Sequence, residues 1–537
     1  MGGLGTQKTQ TAVQEGSEVI GSVPASHFSR IAWLEKDQAI AICFAITACV
    51  VHFLFNGQYG YFRDELYYAA CGQHLAWGYV DQAPLIAVVA RLSRALFGDS
   101  LHALRFFPAL SSGAKILVAG WIVRELGGNR YAQILAGTAM LFCPIYLTMD
   151  NFLSMNAVEP VLWMLCVAIA LWIMRTGRRR LWLLFGVVAG IGILNKHSML
   201  FFGCAFVFGL LVTRQRRLLR DPWIWAGALV AFLIFLPNAI WEIRNHLPTL
   251  EILRNVDRVK NAHVSWLTFI AQQALLVHPI GTPICVAGLW FFLFSRNAEP
   301  YRFLGWTYLF LLLEFLVFRG RIYYLAPIYP MLFAAGAVAI EAWIQSRGAN
   351  WIKTAILAPL VLGGMVAAPL ALPILSLNGA AAYANFWNVD RVQVEREPSG
   401  RLPQLFADMM GWQQQVEVLT GVYRSLPRED RPKAVILAGN YGEAGAVDYF
   451  GPAYGLPRAI SGHNNYYLWG PRQYSGEVVI SVGLTRSELE PLFGRIELAA
   501  TIENEYAIPE ENNLPVYICR EPRMTLQKAW PRLKVYG

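Results

Sequence analysis

Charge is scarce in this chain. Only 15% of its 537 residues are Asp, Glu, Lys or Arg, against roughly 25% in an ordinary soluble domain. With 55% hydrophobic residues, and 18 Trp beside 23 Tyr and 30 Phe, the composition excludes a conventional soluble enzyme. Cysteine pairing is also lacking. Seven of the eight cysteines (43, 49, 71, 143, 166, 204 and 285) lie in or beside apolar segments, no two make a CxxC pair, and Cys519 stands apart. A disulfide framework or a cysteine-rich metal site is thereby disfavoured. The stretch NYGEAGAVDYFG (440–451) fits neither GxGxxG nor GxxxxGKS/T, which leaves nucleotide binding without support. No internal repeat is visible.

What the chain has instead is long apolar runs. A helix needs about 20 apolar residues to cross the hydrocarbon core. Eleven stretches are predicted to do so: 38–56, 103–123, 131–149, 156–174, 181–195, 197–212, 222–241, 265–294, 302–318, 322–340 and 353–375. The sequence therefore describes a polytopic α-helical membrane protein. Its net charge of +9 does not point to nucleic acid, because the basic residues sit in short clusters between apolar runs, chiefly RTGRRR (175–180) and TRQRRLLR (213–220). Such clusters mark cytoplasmic loops.

Residues 1–37 read as a flexible cytoplasmic tail, without a basic start running into a cleavable apolar segment. The segment 83–98 is apolar but short, and it carries Arg91 and Arg94. Laid along the membrane surface, it keeps RELGGNR (124–130), both basic clusters and the 341–352 loop on one side. The membrane domain is then 38–375. Its first external loop (57–102, with surface helices), residues 242–264 and the region 376–537 share the opposite, extracytoplasmic side. That last region reads as a small α/β domain: a strand at 434–438, a glycine-bearing turn, a helix from about 443, a strand in 476–483, and a helix in TRSELEPLF capped by Thr485.

FRDELYY (62–68) sets Arg63, Asp64 and Glu65 side by side just after the first apolar run. Two readings compete. They form a polar cap at the membrane surface, or they join Asp81, Asp150 and Glu159 on one face as carboxylates able to act as general base, bind a divalent ion or orient an acceptor. Lys196 and His197 make either a short external turn or a grip on phosphate. Arg319, Arg321, Tyr323 and Tyr324 in RGRIYYLAP mark another boundary, where tyrosines also build aromatic belts. His263 and His278 are candidate metal or phosphate ligands, or hydrogen-bonded packing residues. The aromatic, amide-rich SGHNNYYLWGP (461–471) suits sugar stacking, or docking onto the membrane portion.

FRDELYYAACGQHLAWGYVDQAPLIAVVARLSRALFG, RFFPAL, the Asp150 region, NKHS, QQALLVHPIGTP and RIYYLAPIYP, together spanning most of 38–340, resemble the membrane glycosyltransferases grouped with protein O-mannosyltransferases and the lipid A aminoarabinose transferase. The resemblance implies a C-type glycosyltransferase fold and a polyprenyl-phosphate sugar donor used at the outer membrane face. It makes Asp64 the leading catalytic residue, with Glu65 orienting substrate or ion. The family's acidic-Lys-Pro-Pro run corresponds here to Asp81, Gln82, Ala83 and Pro84. Gln82 cannot supply the lysine's charge, so Lys196, Arg105, Arg319 or Arg321 must meet the carrier phosphate.

The expected function is transfer of a glycosyl unit from a polyprenyl-phosphate-linked sugar to a lipid, glycan or protein acceptor, inverting at the anomeric carbon, in the bacterial inner membrane. A divalent ion at Asp81, His263 or His278 is the one cofactor considered; no nucleotide or organic cofactor is expected. The rivals are a multi-helix transporter, which would show related halves, and a non-catalytic sugar-binding or assembly protein.

Overall fold

The computed structural model describes residues 37–259, 265–388 and 400–537. His263 lies outside the described residues. Among them, six helices are long and apolar enough to cross a membrane: Gln38–Phe55, Leu101–Glu125, Met155–Thr176, Pro222–Arg244, Ile322–Arg347 and Trp351–Ala371. Met199–Leu211 makes a seventh if it is joined to the bent turn Arg214–Arg220. The remaining expected spans are shorter or broken.

Two of the breaks have a clear cause. The run 131–149 divides into Arg130–Leu141 and Pro144–Met149, because a proline cannot continue the hydrogen-bond ladder and pushes the residue before it out of helical geometry. The run 265–294 divides into Trp266–Leu276 and Thr282–Phe294 around His278, which takes φ +75° just before Pro279. Interrupted helices at membrane depth need neighbours to satisfy their backbone. Here Gln273 supplies one such contact, donating to the Ile322 carbonyl at 2.9 Å.

The spans sort into a centre and a rim. Ile322–Arg347 and Met155–Thr176 are 83% and 72% buried over their most apolar windows, whereas Pro222–Arg244 and Trp351–Ala371 are 17% buried and present their apolar side chains outward. Helices without a hydrophobic drive between them pack through small residues. Gly288 and Gly336 show the limit: a methyl group on Gly336 would stand 1.8 Å from the Ile284 carbonyl oxygen, and one on Gly288 2.1 Å from that of Leu332.

Ion pairs and hydrogen bonds gather the basic loops at one end of the bundle. Arg175 pairs with Glu125 at 2.6 Å, Glu341 accepts from the Asn129 backbone at 2.7 Å, and Arg179 lies 3.4 Å from Asp221. At the other end the first loop, the 242–259 segment and the C-terminal region meet: Tyr59 donates to the Leu375 carbonyl at 2.9 Å, and Lys534 pairs with Glu251 at 2.8 Å. The expected surface segment is the helix Leu85–Phe97, whose 13 residues rise only about 20 Å. It buries Ile86, Ala87 and Ala90 and leaves Val88, Leu92 and Leu96 outward along one face.

The C-terminal region builds a five-stranded sheet: β1 (Ala434–Ala438), β2 (Ala459–Ser461), β3 (Val478–Val482), β4 (Phe493–Ile502) and β5 (Leu514–Pro522), in the order β2-β1-β3-β5-β4. β1 runs parallel to β2 and β3, and its five residues AVILA are all buried, the pattern of a central strand covered on both faces. β5 pairs antiparallel with β3 and β4. Both expected strands are present, and the expected helix is Tyr441–Tyr454. TRSELEPLF differs. Thr485 does cap a helix through a reciprocal box with Glu488, but that helix ends at Leu489 and the chain enters β4 at Phe493.

The sheet does not stand apart from the membrane region. Leu66, Tyr67, Tyr68 and Ile86 of the first loop share one apolar cluster with Trp412, Ile436, Ala444 and Val516. This common core positions the candidate site.

Candidate active site

The helix Arg63–Gln73 turns the three motif charges in different directions. Glu65 points into the protein and is fully buried. Its Oε1 accepts from Arg105 Nε at 2.8 Å and the Leu153 backbone at 2.6 Å; its Oε2 accepts from Arg105 Nη2 at 2.7 Å and the Phe62 backbone at 2.8 Å. Arg105, also fully buried, donates further to the carbonyls of Asn56 and Gly60 at 2.7 and 2.8 Å. With every strong acceptor direction taken, Glu65 anchors the loop and does not face substrate, which corrects its expected catalytic part. The same geometry corrects Arg105, whose guanidinium is spent on the protein and not offered to a carrier phosphate.

Asp64 faces the other way and is half-buried. Its Oδ1 accepts from Tyr441 Oη at 2.8 Å, and Tyr68 Oη lies 3.5 Å from Oδ2. Burial, above all, pushes the Tyr441 phenol well above its usual range; Arg63 opposes the shift, and Asp64 and Asp81 add to it. Tyr441 is therefore a fixed donor at neutral pH. Arg63 sits 3.6 Å from Asp408 and over the Tyr441 ring at 5.7 Å.

Asp81 joins this group through tyrosine and amide contacts. Its Oδ1 accepts from Tyr67 Oη at 2.8 Å and its Oδ2 from Asn464 Nδ2 at 3.0 Å. Gln82 is buried, its amide donating to Cys71 Sγ at 3.4 Å, so it does not reach outward as a lysine head would.

A second group lies beside a cleft lined by Ile145, Met149, Asn156, Glu159, Tyr323 and Pro327. Lys196 donates to Asn156 Oδ1 at 2.7 Å and Glu159 Oε2 at 3.1 Å, and its ammonium sits 4.6 Å from the centre of the Tyr324 ring and 5.4 Å from that of Tyr323. Ser198 also donates to Glu159. Arg321 donates to Tyr323 Oη at 3.3 Å. A lysine held by one carboxylate and two aromatic faces keeps its charge in a partly desolvated place, a setting suited to an anionic group. Arg319 is exposed, at φ +52°. His197 faces Asn238 Oδ1 at 3.0 Å, and Asn238 donates to the Trp77 carbonyl at 2.7 Å, which ties His197 to the first loop.

Asp150 is also corrected. It is 1% exposed and takes Lys115 Nζ on both oxygens, at 2.5 and 2.7 Å, with His52 Nε2 at 3.9 Å. That arrangement closes a buried charge pair and leaves no oxygen turned to substrate. Sequence reasoning missed Lys115, a single cation inside the run SSGAKILV (111–118). It missed Tyr441 and Asn464 as well, since their partners lie 377 and 383 residues away. The only local signal was the run of amides and tyrosines in 461–471.

The described residues show no assembled metal site. No group of three His, Cys, Asp or Glu able to hold an ion occurs among the described residues. Asp81 has both oxygens in hydrogen bonds, and His278 accepts from the Ile280 backbone through Nδ1 at 3.1 Å.

Comparison with known proteins bears on the fold. Residues 81–241 match the family profile described as dolichyl-phosphate-mannose-protein mannosyltransferase. Two curated proteins described as undecaprenyl phosphate-alpha-4-amino-4-deoxy-L-arabinose arabinosyl transferase, from Aeromonas hydrophila subsp. hydrophila and Aeromonas salmonicida, are each 29% identical over 161 residues. The match spans 29% of this chain and 29% of each relative. Two solved structures of ArnT from Cupriavidus metallidurans, bound to undecaprenyl phosphate and in the apo state, superpose with TM-scores of 0.57 and 0.58 at 16% identity. They cover 90% and 89% of this chain and 98% of theirs.

The chain is thus a multi-span membrane protein with the C-type glycosyltransferase fold. Within that class, it is similar to the polyprenyl-phosphate-sugar transferases related to protein O-mannosyltransferases and the lipid A aminoarabinose transferase, as the motifs around FRDELYY and NKHS implied.

Proposed function

We propose that this chain transfers a glycosyl unit from a polyprenyl-phosphate-linked sugar to an acceptor hydroxyl on a lipid, glycan or protein, at the outer face of the bacterial inner membrane. This reading puts the α/β domain and the first loop on that face, and the basic loops at the opposite end of the bundle in the cytoplasm, where basic loops are favoured. The observation that carries the reading is the division of labour in the RDE motif. Glu65 is locked inward by four donors, while the Asp64 carboxylate is half-buried and held by a tyrosine hydroxyl.

Asp64 accepts the proton of the acceptor hydroxyl as its oxygen attacks the anomeric carbon. The departing carrier phosphate gains negative charge as that bond breaks. Lys196, desolvated against Tyr323 and Tyr324, and Arg321 beside it stabilise this charge. A single displacement inverts the anomeric centre. No step is routed through a metal ion. The two relatives described as undecaprenyl phosphate-alpha-4-amino-4-deoxy-L-arabinose arabinosyl transferases favour a lipid-linked amino sugar as donor.

Mass spectrometry of lipids and glycans from cells with the intact gene, a deletion and the Asp64→Asn form tests this. The expected result is a missing sugar mass in both altered cells, with a polyprenyl-phosphate sugar accumulating. Unchanged glycan and carrier pools, with the protein expressed, would return the transporter or binding readings.

A further inference from the structure

The parallel part of the sheet presents its carboxyl end to the first loop. β1 ends at Ala438, and Tyr441 opens the helix two residues beyond Gly439; β2 ends at Ser461, and Asn464 and Asn465 open the next short helix. That edge is where open α/β sheets hold their ligands. In this chain it holds two carboxylates of another part of the same protein: Tyr441 donates to Asp64 at 2.8 Å and Asn464 to Asp81 at 3.0 Å. The grip extends to the backbone, with Val80 N donating to Asn465 Oδ1 at 2.8 Å and Asn465 N to Tyr67 Oη at 3.2 Å.

Two glycines allow the approach. A methyl group on Gly442 would stand 2.6 Å from Arg63 Cγ, and one on Gly445 3.0 Å from the Leu66 carbonyl carbon, so the helix Tyr441–Tyr454 lies directly on the motif helix. Tyr441 is 8% exposed and Tyr67 fully buried. Both rings are therefore held within the protein. Arg63 over the Tyr441 ring, the Tyr67 ring at 4.8 Å and His463 at 5.0 Å fix the phenol from several sides. The result is a donor set in place from a domain whose sequence lies far downstream of the motif it serves.

We propose that the α/β domain completes the transfer site, with Tyr441 as the positioning residue that orients the Asp64 carboxylate and Asn464 as its counterpart on Asp81. The inference rests on Asp64 being the proton acceptor. A carboxylate free to rotate would spend part of its time with no lone pair aimed at the acceptor; one oxygen tied to a rigid phenol leaves the other in a defined direction. In this role Tyr441 acts through Asp64, so its loss affects turnover and leaves donor affinity alone.

The test uses the full chain in lipid nanodiscs and, as donor, the polyprenyl-phosphate sugar extracted from the deletion cells. Tyr441→Phe deletes one oxygen and keeps the ring that packs on Arg63 and Tyr67. Its expected effect is a fall in kcat of about 10- to 100-fold, the range for losing one hydrogen bond to an ionised group, with KM for the donor within about twofold and an unchanged melting temperature. p-Aminophenylalanine at 441 restores an N–H donor in the same place and should recover most of the lost kcat, which a packing role would not predict. Asn464→Gly, tolerated at this residue's φ of +46°, removes the Asp81 contact and provides a second variant should the first fold poorly.

Wild-type kcat in both Tyr441→Phe and Asn464→Gly would overturn the proposal. So would a fall in kcat that p-aminophenylalanine does not reverse. If Asp64→Asn itself keeps wild-type turnover, the proton-acceptor reading fails first; if Asp64→Asn is inactive while Tyr441→Phe and Asn464→Gly keep wild-type turnover, only the positioning role fails.

Discussion

Glu65→Ala should unfold this protein more readily than any change at Asp64, although the two residues are neighbours. The substitution leaves the fully buried Arg105 guanidinium without its carboxylate, and strips the Phe62 and Leu153 N–H groups of their acceptor. Removing one partner of a buried ion pair costs about 3–5 kcal/mol. Each stranded N–H adds about 1–3 kcal/mol. These terms share one site and are not additive, and Arg105 keeps its bonds to the Asn56 and Gly60 carbonyls, so a net loss of about 5 kcal/mol is the working figure. Over a chain of 537 residues that corresponds to a fall in melting temperature of roughly 4 °C. Intrinsic tryptophan fluorescence of the detergent-solubilised chain, followed on heating, reads it directly. Asp64→Asn should melt with the wild type and yet fail in transfer. Glu65→Ala melting within about 2 °C of the wild type would refute the anchoring argument, and equal destabilisation by Asp64→Asn would refute the contrast.

The Lys115–Asp150 pair should behave likewise in the same melt: Lys115→Met costs about 3–5 kcal/mol, while Lys115→Met with Asp150→Leu lies closer to wild type, because no charge is then stranded. A loss in the double variant equal to the sum of the losses in Lys115→Met and Asp150→Leu would show that the two groups do not interact. In the α/β domain, burial and the facing Glu511 hold the Glu443 carboxyl well above its usual range, and burial raises Glu511 as well. Between ordinary carboxylate values and these raised ones the folded domain binds more protons than the unfolded chain. Its stability is thus greatest below that window and falls as pH rises through it; Glu511→Gln should flatten the slope and raise the melting temperature at pH 8, and an unchanged slope would refute the reading. Gly445→Leu places a side chain against the backbone of the motif helix. It should open the junction to protease, and an undiminished resistance to limited digestion would contradict the close packing.

Much of this was legible where chemistry is local. RTGRRR and TRQRRLLR located one end of the bundle because basic loops are contiguous in sequence, and AVILA read as a buried strand because five apolar residues between turns can be little else. Asp64 was singled out through its motif. The inward turn of its neighbour was not legible: adjacent residues on a helix point about 100° apart, and nothing in RDE says which carboxylate turns inward. Asp150 read as a site residue because Lys115 hides alone in an apolar run, 35 positions earlier. The 131–149 stretch was counted as one helix on hydropathy, against the signal of Cys143–Pro144. β4 escaped because FGRIELAATI, with its first and last residues buried and much of the middle exposed, does not alternate as a strand over a core does.

The apolar cluster shared by the first loop and the sheet has a consequence for biosynthesis. Tyr441 is 377 residues downstream of Asp64. At about 5–20 residues per second, a ribosome needs roughly 20–75 s to make the partner of a segment it has already finished. For that interval the faces of Leu66, Tyr67 and Tyr68 that will meet the sheet lack their partners, although Tyr79, Ile86 and Leu104 already share their apolar cluster. The bilayer interface, which receives tyrosine and leucine readily, is the natural place for them to wait. A nascent chain stalled before residue 400 should therefore hold its motif helix against lipid, and release it when the sheet arrives.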